Sequence, residues 1–279
     1  MSKSLAKAEP RDPKNTLLVD GLNLAFRWKH QRKPEDMVFD FVSTIKSLAK
    51  SYDCGTIIVL GDGGSDWRRE IHPGYKATRK AKFAEQTDAE KAESEEFFEI
   101  YERALFRCRE AGIPTIRLGG VEADDIAAYI VENKYGLDIN TIWLISSDRD
   151  WDLLLEDDVH RFSTVTRVEM TLETWDYPCS PENYISFKTL MGDKGDDVPG
   201  VNGVGPVKAG QLIEKYGDIF DIIAQLPLPG KAKYIQELND SKDLLLKSYE
   251  LMDLRSFNQA AIGDKLETLK EQLSEIYSR

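Results

Sequence analysis

Nine acidic residues fall in five short clusters along this 279-residue chain, and four of the clusters stand where an apolar strand is predicted to end. The clusters are Asp20; Asp62; Glu122, Asp124 and Asp125; Asp148 and Asp150; and Asp193 and Asp196. Two unpaired carboxylates about 4 Å apart repel by about 4 kcal/mol at an effective dielectric constant of about 20. A convergent set of this size therefore needs cations, and all-oxygen ligands favour Mg²⁺ or Mn²⁺ over zinc.

Short apolar runs predict the strands that must position these carboxylates. The predicted strands are residues 16–19, 56–60, 115–118 and 141–145, and the predicted helices among them are residues 36–52, 93–111 and 123–134. Nearly continuous apolar strands that alternate with helices are typical of a parallel sheet covered on both faces. Ligands of such sheets bind beyond the carboxyl ends of the strands. We therefore expect Asp20, Asp62 and Asp148 to share one edge, with Glu122 in the loop after another strand.

The organisation changes after about residue 180. An antiparallel pair is predicted near residues 160–165 and 168–172, and Pro181 then opens a helix to about Met191. The final third shows helical patterns and no convincing strand. The resulting division is a polar tail (1–14), an α/β core (15–180) and a helical region (181–279).

The composition is that of an ordinary globular protein, with 41% hydrophobic residues. No stretch approaches the apolar length of a membrane span, and the N-terminus lacks an apolar signal region. Cys54, Cys108 and Cys179 are too scattered for a disulfide framework or a zinc site. These features predict a cytoplasmic protein.

The formal net charge of -12 counts against a nucleic-acid partner, because such binding usually requires a basic surface. Setting aside the nine clustered carboxylates reduces that -12 to -3, so the charge is segregated. Residues 67–82 hold six cations, whereas residues 85–102 hold eight acidic residues and one lysine. Trp67, Tyr75 and Phe83 interleave with the cations, a pattern typical of grips for single-stranded nucleic acid. The acidic half is interpreted as a solvated helix face.

Two acidic motifs have structural alternatives. Glu122, Asp124 and Asp125 open a predicted helix, where capping and the helix dipole favour acidic residues anyway. The spacing Asp148-x-Asp150-x-Asp152 resembles the start of an EF-hand loop, but the later positions lack the required glycine and glutamate. An EF-hand is therefore excluded. We expect Asp152 to cap a helix or face solvent and leave it out of the site.

Gly200, Gly203 and Gly205 precede an amphipathic helix in the segment GDKGDDVPGVNGVGPVK. Their spacing matches neither common nucleotide-binding loop. It fits a helix, a tight turn and a second helix whose free N–H groups could hold a nucleic-acid phosphate, with Lys208 one turn in. A helix–helix turn without a ligand is the alternative.

Six segments, in this order, resemble the 5′-nuclease (flap endonuclease) superfamily, most closely its small stand-alone bacteriophage form. They are VDGLN, VLGD, GYKATR, VEADD, SSDRDWD and MGDKGDDVPGVNGVG. The resemblance implies a twisted sheet with a metal-filled cleft and a helical arch, placed here at residues 66–103. It also implies a helix-three-turn-helix element, at residues 190–217, that grips duplex DNA and often binds K⁺.

The resemblance also implies roles for individual residues. Those matching the first metal position are Asp20, Asp62, Glu122, Asp124 and Asp125, and those matching the second are Asp148, Asp150, Asp193 and Asp196. Those matching arch residues that act on the scissile phosphate are Tyr75, Lys76 and Arg79, and those matching cations along the DNA path are Arg27, Lys208 and Lys231. Two positions depart from the family pattern: Asp197 replaces a common Asn, and Val207 replaces a common cation.

The implied activity is that of a Mg²⁺-dependent nuclease, with Mn²⁺ as a substitute, that cuts 5′ flaps and frayed 5′ ends and also removes nucleotides exonucleolytically. Its partner would be branched DNA with a single-stranded 5′ arm, bound by a monomer. Two alternatives stay open at this point: a metal-dependent ribonuclease of the PIN type, and an acidic metal-binding protein without catalytic activity.

Overall fold

A six-stranded sheet in the order β3-β2-β1-β4-β5-β6 forms the centre of the protein, seen in a computed structural model that describes residues 11–29 and 36–278. The strands are β1 Asp12–Asp20, β2 Cys54–Leu60, β3 Thr115–Ile116, β4 Thr141–Ile145, β5 Val159–Phe162 and β6 Glu169–Met170. Strands β1 to β5 pair in parallel, and β6 pairs antiparallel with β5. The predicted mainly parallel sheet is confirmed. Residues 1–10 of the predicted tail lie outside the described residues, and β1 begins at Asp12 rather than 16.

Helices cover both faces of the sheet and predominate after it in the chain. They are α1 Gly21–Ala25, α2 Asp36–Ser51, α3 Asp66–Ile71, α4 Ala77–Ala84, α5 Asp88–Glu110, α6 Ala123–Glu132, α7 Tyr184–Met191, α8 Pro206–Tyr216, α9 Ile219–Ala224, α10 Lys233–Asn239, α11 Lys242–Met252, α12 Leu254–Ile262 and α13 Leu266–Tyr277. None of the helices within the described ranges is long and apolar enough to cross a membrane.

Alternate residues of β1 serve two different cores. Leu17 and Val19 pack with α2 and α5 on one face, whereas Leu18 packs with α6 on the other. All three side chains are fully buried, and burying such a side chain contributes about 1.5–3 kcal/mol. The second face is completed by apolar residues of α12 and α13, among them Leu254 and Leu269. A third core lies within the helical region around α7 and α8.

Two local features differ from the predicted pattern. Helix α5 begins at Asp88 rather than near 93, because Thr87 and Glu90 form a reciprocal capping box at its N-terminus. A ribbon of two-residue strands, β7 Gly192–Asp193 and β8 Val198–Pro199, lies in the final third, where we predicted no strand. Strands this short have no periodicity that a sequence pattern could show.

The register of the sheet places the acidic clusters at one edge. Asp20 pairs with Leu60, so Asp62 follows two residues beyond the same point on β2. Val19 pairs with Ile145, so Asp148 follows β4 at the same edge. The predicted convergence of Asp20, Asp62 and Asp148 at the carboxyl ends of the strands is thus observed.

Candidate active site

Buried and half-buried carboxylates lie at this edge of the sheet, and no salt bridge from residues 11–29 or 36–278 reaches them. Asp20 accepts hydrogen bonds from the backbone N–H of Asn23 (3.1 Å) and from Ser146 Oγ (2.8 Å). Burial raises the pKa of Asp20 to about 7, although these two hydrogen bonds act to lower it. The negative charges of Asp148 and Asp62 contribute to the rise. A cation bound here would stabilise the ionised form of Asp20 and oppose this rise in its pKa.

Asp124 belongs to the same group. Trp151 Nε1 donates to Asp124 Oδ1 at 2.8 Å. Burial raises the pKa of Asp124 well above its ordinary value, and the nearby charges of Asp148, Glu122 and Asp20 raise it further. Burial also raises the pKa of Asp62. Sequence-distant carboxylates therefore repel one another across a shared space.

A second group is held by a buried lysine that the sequence analysis did not identify. Lys188 of α7 bonds to Asp150, and its Nζ lies 3.7 Å from Asp193 Oδ2. Burial raises the pKa of Asp150 to about 6, Lys188 opposes the rise, and the charges of Asp148 and Asp193 support it. The available signal was a single charge within the apolar helix YISFKTLM.

Arg68 of α3 is the other functional residue that sequence analysis missed. Its Nη1 and Nη2 each donate to one oxygen of Asp125 at 2.7 Å, and Nη1 also donates to Glu122 Oε2 at 2.9 Å. Its Nε donates to the carbonyl of Leu251 at 2.9 Å. The structure thus places Asp125 in a buried ion pair, apart from the unpaired carboxylates with which we had grouped it. In sequence, Arg68 is one of six cations in a basic stretch, and nothing distinguishes it from its neighbours.

The three predicted arch residues meet two of the predicted metal ligands. Tyr75 Oη donates to Glu122 Oε2 at 3.0 Å and to Asp196 Oδ2 at 2.8 Å. Lys76 bonds to Glu122, with its Nζ 3.6 Å from Asp196 Oδ2, and Arg79 Nη2 donates to Asp196 Oδ1 at 2.7 Å. Burial acts to raise the pKa of Glu122, but the positive charges of Arg68 and Lys76 outweigh this effect and lower it.

Glu122 occupies the N-cap position of α6, but its side chain makes no capping hydrogen bond. Its carboxylate instead faces Arg68, Tyr75 and Lys76. The capping explanation for this acidic motif is therefore wrong for Glu122, and its side chain is part of the site.

Two further expectations are wrong. Asp152 neither caps a helix nor faces solvent: it is buried, accepts from Arg161 Nη2 at 2.9 Å and accepts from Tyr177 Oη at 2.7 Å. Of the aromatics expected to stack on bases, Tyr75 is buried and Trp67 stacks on Phe257 with ring centroids 5.8 Å apart. Phe83 is exposed, as base stacking would require. Tyr75 and Trp67 instead pack inside the protein.

The predicted DNA-path residues are more widely spread. Lys208 lies in the first turn of α8, where Nζ donates to the carbonyl of Gly203 at 2.7 Å and lies 4.4 Å from the ring centroid of Tyr234. Lys231 is exposed before α10, and Arg27 lies in a short helical turn after α1 with its guanidinium 5.3 Å from the Trp28 ring. The structure thus brings Lys208 to the Gly-rich turn.

The three glycines of this turn have different reasons for being glycine. A Cβ at Gly200 would lie 2.1 Å from the backbone carbon of Met191, a Cβ at Gly205 would meet nothing within 4 Å, and Gly203 has a φ of 81°.

We expect Gly200→Ala to lower the free energy of unfolding by about 1–3 kcal/mol because the backbone of the β7–β8 ribbon must shift. Gly205→Ala is the matched control and should lose less than about 1 kcal/mol, because no atom obstructs its Cβ and only its N-cap position on α8 disfavours alanine. Urea denaturation of both variants checks this, and equal stability of the two would contradict it.

The chemistry of the donors fits divalent cations. Within residues 11–29 and 36–278, no three carboxylate, imidazole or thiol groups are arranged so that they hold a metal ion as they stand. Lysine or arginine side chains hold Glu122, Asp125, Asp150 and Asp196. Within the same described part, no salt bridge reaches Asp20, Asp62, Asp124 or Asp148. Of these four, Asp20 is buried, Asp62 and Asp124 are half-buried and Asp148 is exposed. Oxygen donors that converge without a salt bridge to neutralise their repulsion match what Mg²⁺ or Mn²⁺ requires.

Comparison with known proteins identifies the family. The model of the 5′-3′ exonuclease N-terminal resolvase-like domain matches residues 15–177, and that of the 5′-3′ exonuclease C-terminal SAM fold matches residues 179–274. The chain belongs to the 5′-3′ exonuclease family. Among curated members of this family, the flap endonuclease of Escherichia phage T5 is 45% identical and covers 99% of both chains.

Solved structures agree with this assignment to the 5′-3′ exonuclease family. The T5 flap endonuclease in a pseudo-enzyme-product complex with DNA and metal ions superposes with a TM-score of 0.88, at 44% identity, over 95% of this chain and 100% of the other. The DNA polymerase I of Rhizobium leguminosarum is 26% identical over 86% of this chain, which corresponds to only 24% of that polymerase. This member of the family thus matches the whole length of the stand-alone phage enzyme and a part of the polymerase.

Proposed function

We propose that this member of the 5′-3′ exonuclease family is a structure-specific 5′ nuclease that hydrolyses phosphodiester bonds at 5′ flaps and frayed 5′ ends. The observation that carries the proposal is that Lys76 pairs with Glu122 and Arg79 pairs with Asp196 beside the carboxylate of Asp124, which no salt bridge reaches within the described part of the chain. The arch cations can bind the phosphate oxygens of a phosphodiester, while the carboxylates below them bind the metal ions needed to hydrolyse it. Neither set alone would do so.

The proposed metal is Mg²⁺, with Mn²⁺ as a substitute, in two positions. The residues that would hold the first ion are Asp20, Asp62, Glu122 and Asp124, and those that would hold the second are Asp148, Asp150, Asp193 and Asp196. Asp125 instead orients Arg68 behind Glu122. When bound, such a pair supplies a nucleophilic water at neutral pH and neutralises charge on the non-bridging oxygens.

The side chains of the arch then act on the substrate. Lys76 is paired with Glu122 in this structure, and a phosphodiester that approaches the edge offers it a second anionic partner. Arg79 adds a guanidinium that can bind two phosphate oxygens at once. Tyr75, buried between Glu122 and Asp196, holds both carboxylates in place. Preorganised cations of this kind stabilise the charge that develops as the bond breaks.

Binding of the duplex is assigned to the helical region. The Gly-rich turn around Gly200, Gly203 and Gly205 would hold the phosphate backbone through N–H groups, with Lys208 as the nearby cation and K⁺ as a candidate ion. Lys231 and Arg27 would extend this path. The division into a core (15–180) with an arch (66–103), and a helical DNA-binding region (181–279) with a helix-three-turn-helix element (190–217), is part of the proposal. So is a cytoplasmic location.

A double-flap DNA labelled at its 5′ arm tests the function. We expect cleavage within about one nucleotide of the junction in Mg²⁺, and none after chelation by EDTA, because the carboxylates cannot act without cations. The same assay with single-stranded RNA of matching sequence is the comparison that separates a ribonuclease. Cleavage that survives EDTA, or RNA cut as fast as the flap, would contradict the proposal.

A further inference from the structure

Helix α4 carries Arg79 and directly follows Lys76, yet it has no cap of its own. Lys76 stands at the N-cap position with a left-handed backbone (φ 55°) and makes no capping hydrogen bond. The first turn of α4 contains no acidic residue. Because the first N–H groups of a helix have no partner inside it, an acceptor from elsewhere is needed.

Asp197 supplies this acceptor from 119 residues further along the chain. Its Oδ2 accepts from the backbone N–H of Thr78 at 2.8 Å, and its Oδ1 accepts from Thr78 Oγ1 at 2.6 Å. A carboxylate at this position also interacts favourably with the helix dipole. Asp197 thus caps α4 from outside, with both of its oxygens in use.

Backbone contacts beside this cap join the two segments along their length. The N–H of Lys76 donates to the carbonyl of Asp196 at 3.0 Å, and Arg79 Nε donates to the carbonyl of Gly195 at 3.0 Å. The ring Nε2 of His72 lies 3.2 Å from the carbonyl oxygen of Asp197. Asp197 itself has a φ of 57°, so two left-handed residues other than glycine face each other here. Such residues are uncommon and need support from their surroundings.

We propose that Asp197 is a positioning residue for the nuclease reaction. By capping α4 it holds the left-handed turn at Lys76, and this turn directs Lys76 and Arg79 toward the carboxylate edge. The inference rests on the proposed function, in which these two cations act on the scissile phosphate. Asparagine can accept from the Thr78 N–H through its amide oxygen and donate to Thr78 Oγ1 through its amide nitrogen, but it lacks the negative charge that interacts with the helix dipole, so it restores the cap in part.

Single-turnover cleavage of flap DNA by Asp197→Ala, Asp197→Asn and Thr78→Val tests the proposal, with flap affinity measured separately in EDTA. We expect Asp197→Ala to cleave about tenfold more slowly, of the order of a lost cap, while its Kd changes less than about twofold. Asp197→Asn should recover to within about threefold of wild type, and Thr78→Val should lose about threefold. Hydrogen exchange of the amides of residues 77–80 should become faster in Asp197→Ala.

Asp138→Ala is the matched control. Asp138 is also a left-handed aspartate (φ 57°), but it pairs with Lys14 at the opposite edge of the sheet, so its loss should leave the rate unchanged. The positioning role is overturned if Asp197→Ala cleaves within about twofold of wild type, or if Asp197→Asn is as slow as Asp197→Ala. A failure of the proposed function differs, because the wild type itself would then leave the flap uncut in Mg²⁺ or still cut it in EDTA.

Discussion

Replacing Lys76 with alanine is expected to slow single-turnover cleavage of a 5′ flap by at least about a hundredfold, the order observed when one preorganised electrostatic group is removed. Lys76 is mostly buried between Glu122 and Asp196, and its charge opposes the rise in the pKa of Asp124. Arg79 is more exposed and binds Asp196 from the outer side. Lys76 is therefore placed to contact a phosphate between the arch and the sheet edge.

A matched surface lysine separates this effect from a general loss of charge. Lys14→Ala removes an exposed lysine that pairs with Asp138 at the far edge of the sheet, and it should cleave like the wild type. Thermal unfolding of both variants shows whether either is structurally damaged. If Lys76→Ala cleaves within about threefold of the wild-type rate, Lys76 has only a structural role as the ion-pair partner of Glu122.

Asp124→Asn and Asp125→Asn should have opposite consequences although the two residues are neighbours in sequence. Asp124 has no salt bridge within the described part of the chain, whereas both oxygens of Asp125 bind Arg68. We expect Asp124→Asn to slow cleavage by about a thousandfold or more, because a metal ligand is lost. We expect Asp125→Asn to lower the free energy of unfolding by about 3–5 kcal/mol, because it removes the carboxylate that forms two of the three ion-pair hydrogen bonds of the buried Arg68 and leaves Glu122 as its charged partner.

The sign of the stability change for Asp124→Asn follows from its pKa. Burial and nearby carboxylates raise the pKa of Asp124 in the folded protein, so ionisation at pH 7 costs free energy there that it does not cost in the unfolded chain. The asparagine variant should therefore have a higher Tm than wild type in EDTA. Urea and thermal unfolding measure both variants. A destabilised Asp124→Asn, or an Asp125→Asn as stable as wild type, would refute this assignment of the two aspartates.

The edge of the sheet that holds the site could be predicted from sequence because it depends on local patterns. The apolar runs of β1, β2 and β4 identify strands, and parallel pairing forces their carboxyl ends to one side. Asp20, Asp62 and Asp148 must then lie together whatever the details of the loops. The T-x-x-E pattern of Thr87 and Glu90 fixes the start of α5, but our prediction began this helix near residue 93 and did not include the cap.

The partners of individual carboxylates could not be predicted, because they depend on how distant helices pack. Arg68 reaches Asp125 only because α3 and α6 both pack against α12. Lys188 reaches Asp150 from α7, which belongs to a different part of the chain. Nothing in the local sequence indicates that Asp125 is neutralised while Asp124 is not. The cap that Asp197 provides for α4 is a long-range contact of the same kind.

The packing of α12 and α13 limits how this protein can be rearranged. Leu254, Ile262, Leu269 and Leu273 complete the apolar face that covers the sheet, so the last helices stabilise the first strands. A truncated variant that kept the sheet but lacked these two helices would expose the apolar face of the sheet to solvent. The strands and the last two helices of this chain therefore have to be kept together whenever it is cut or fused to another protein.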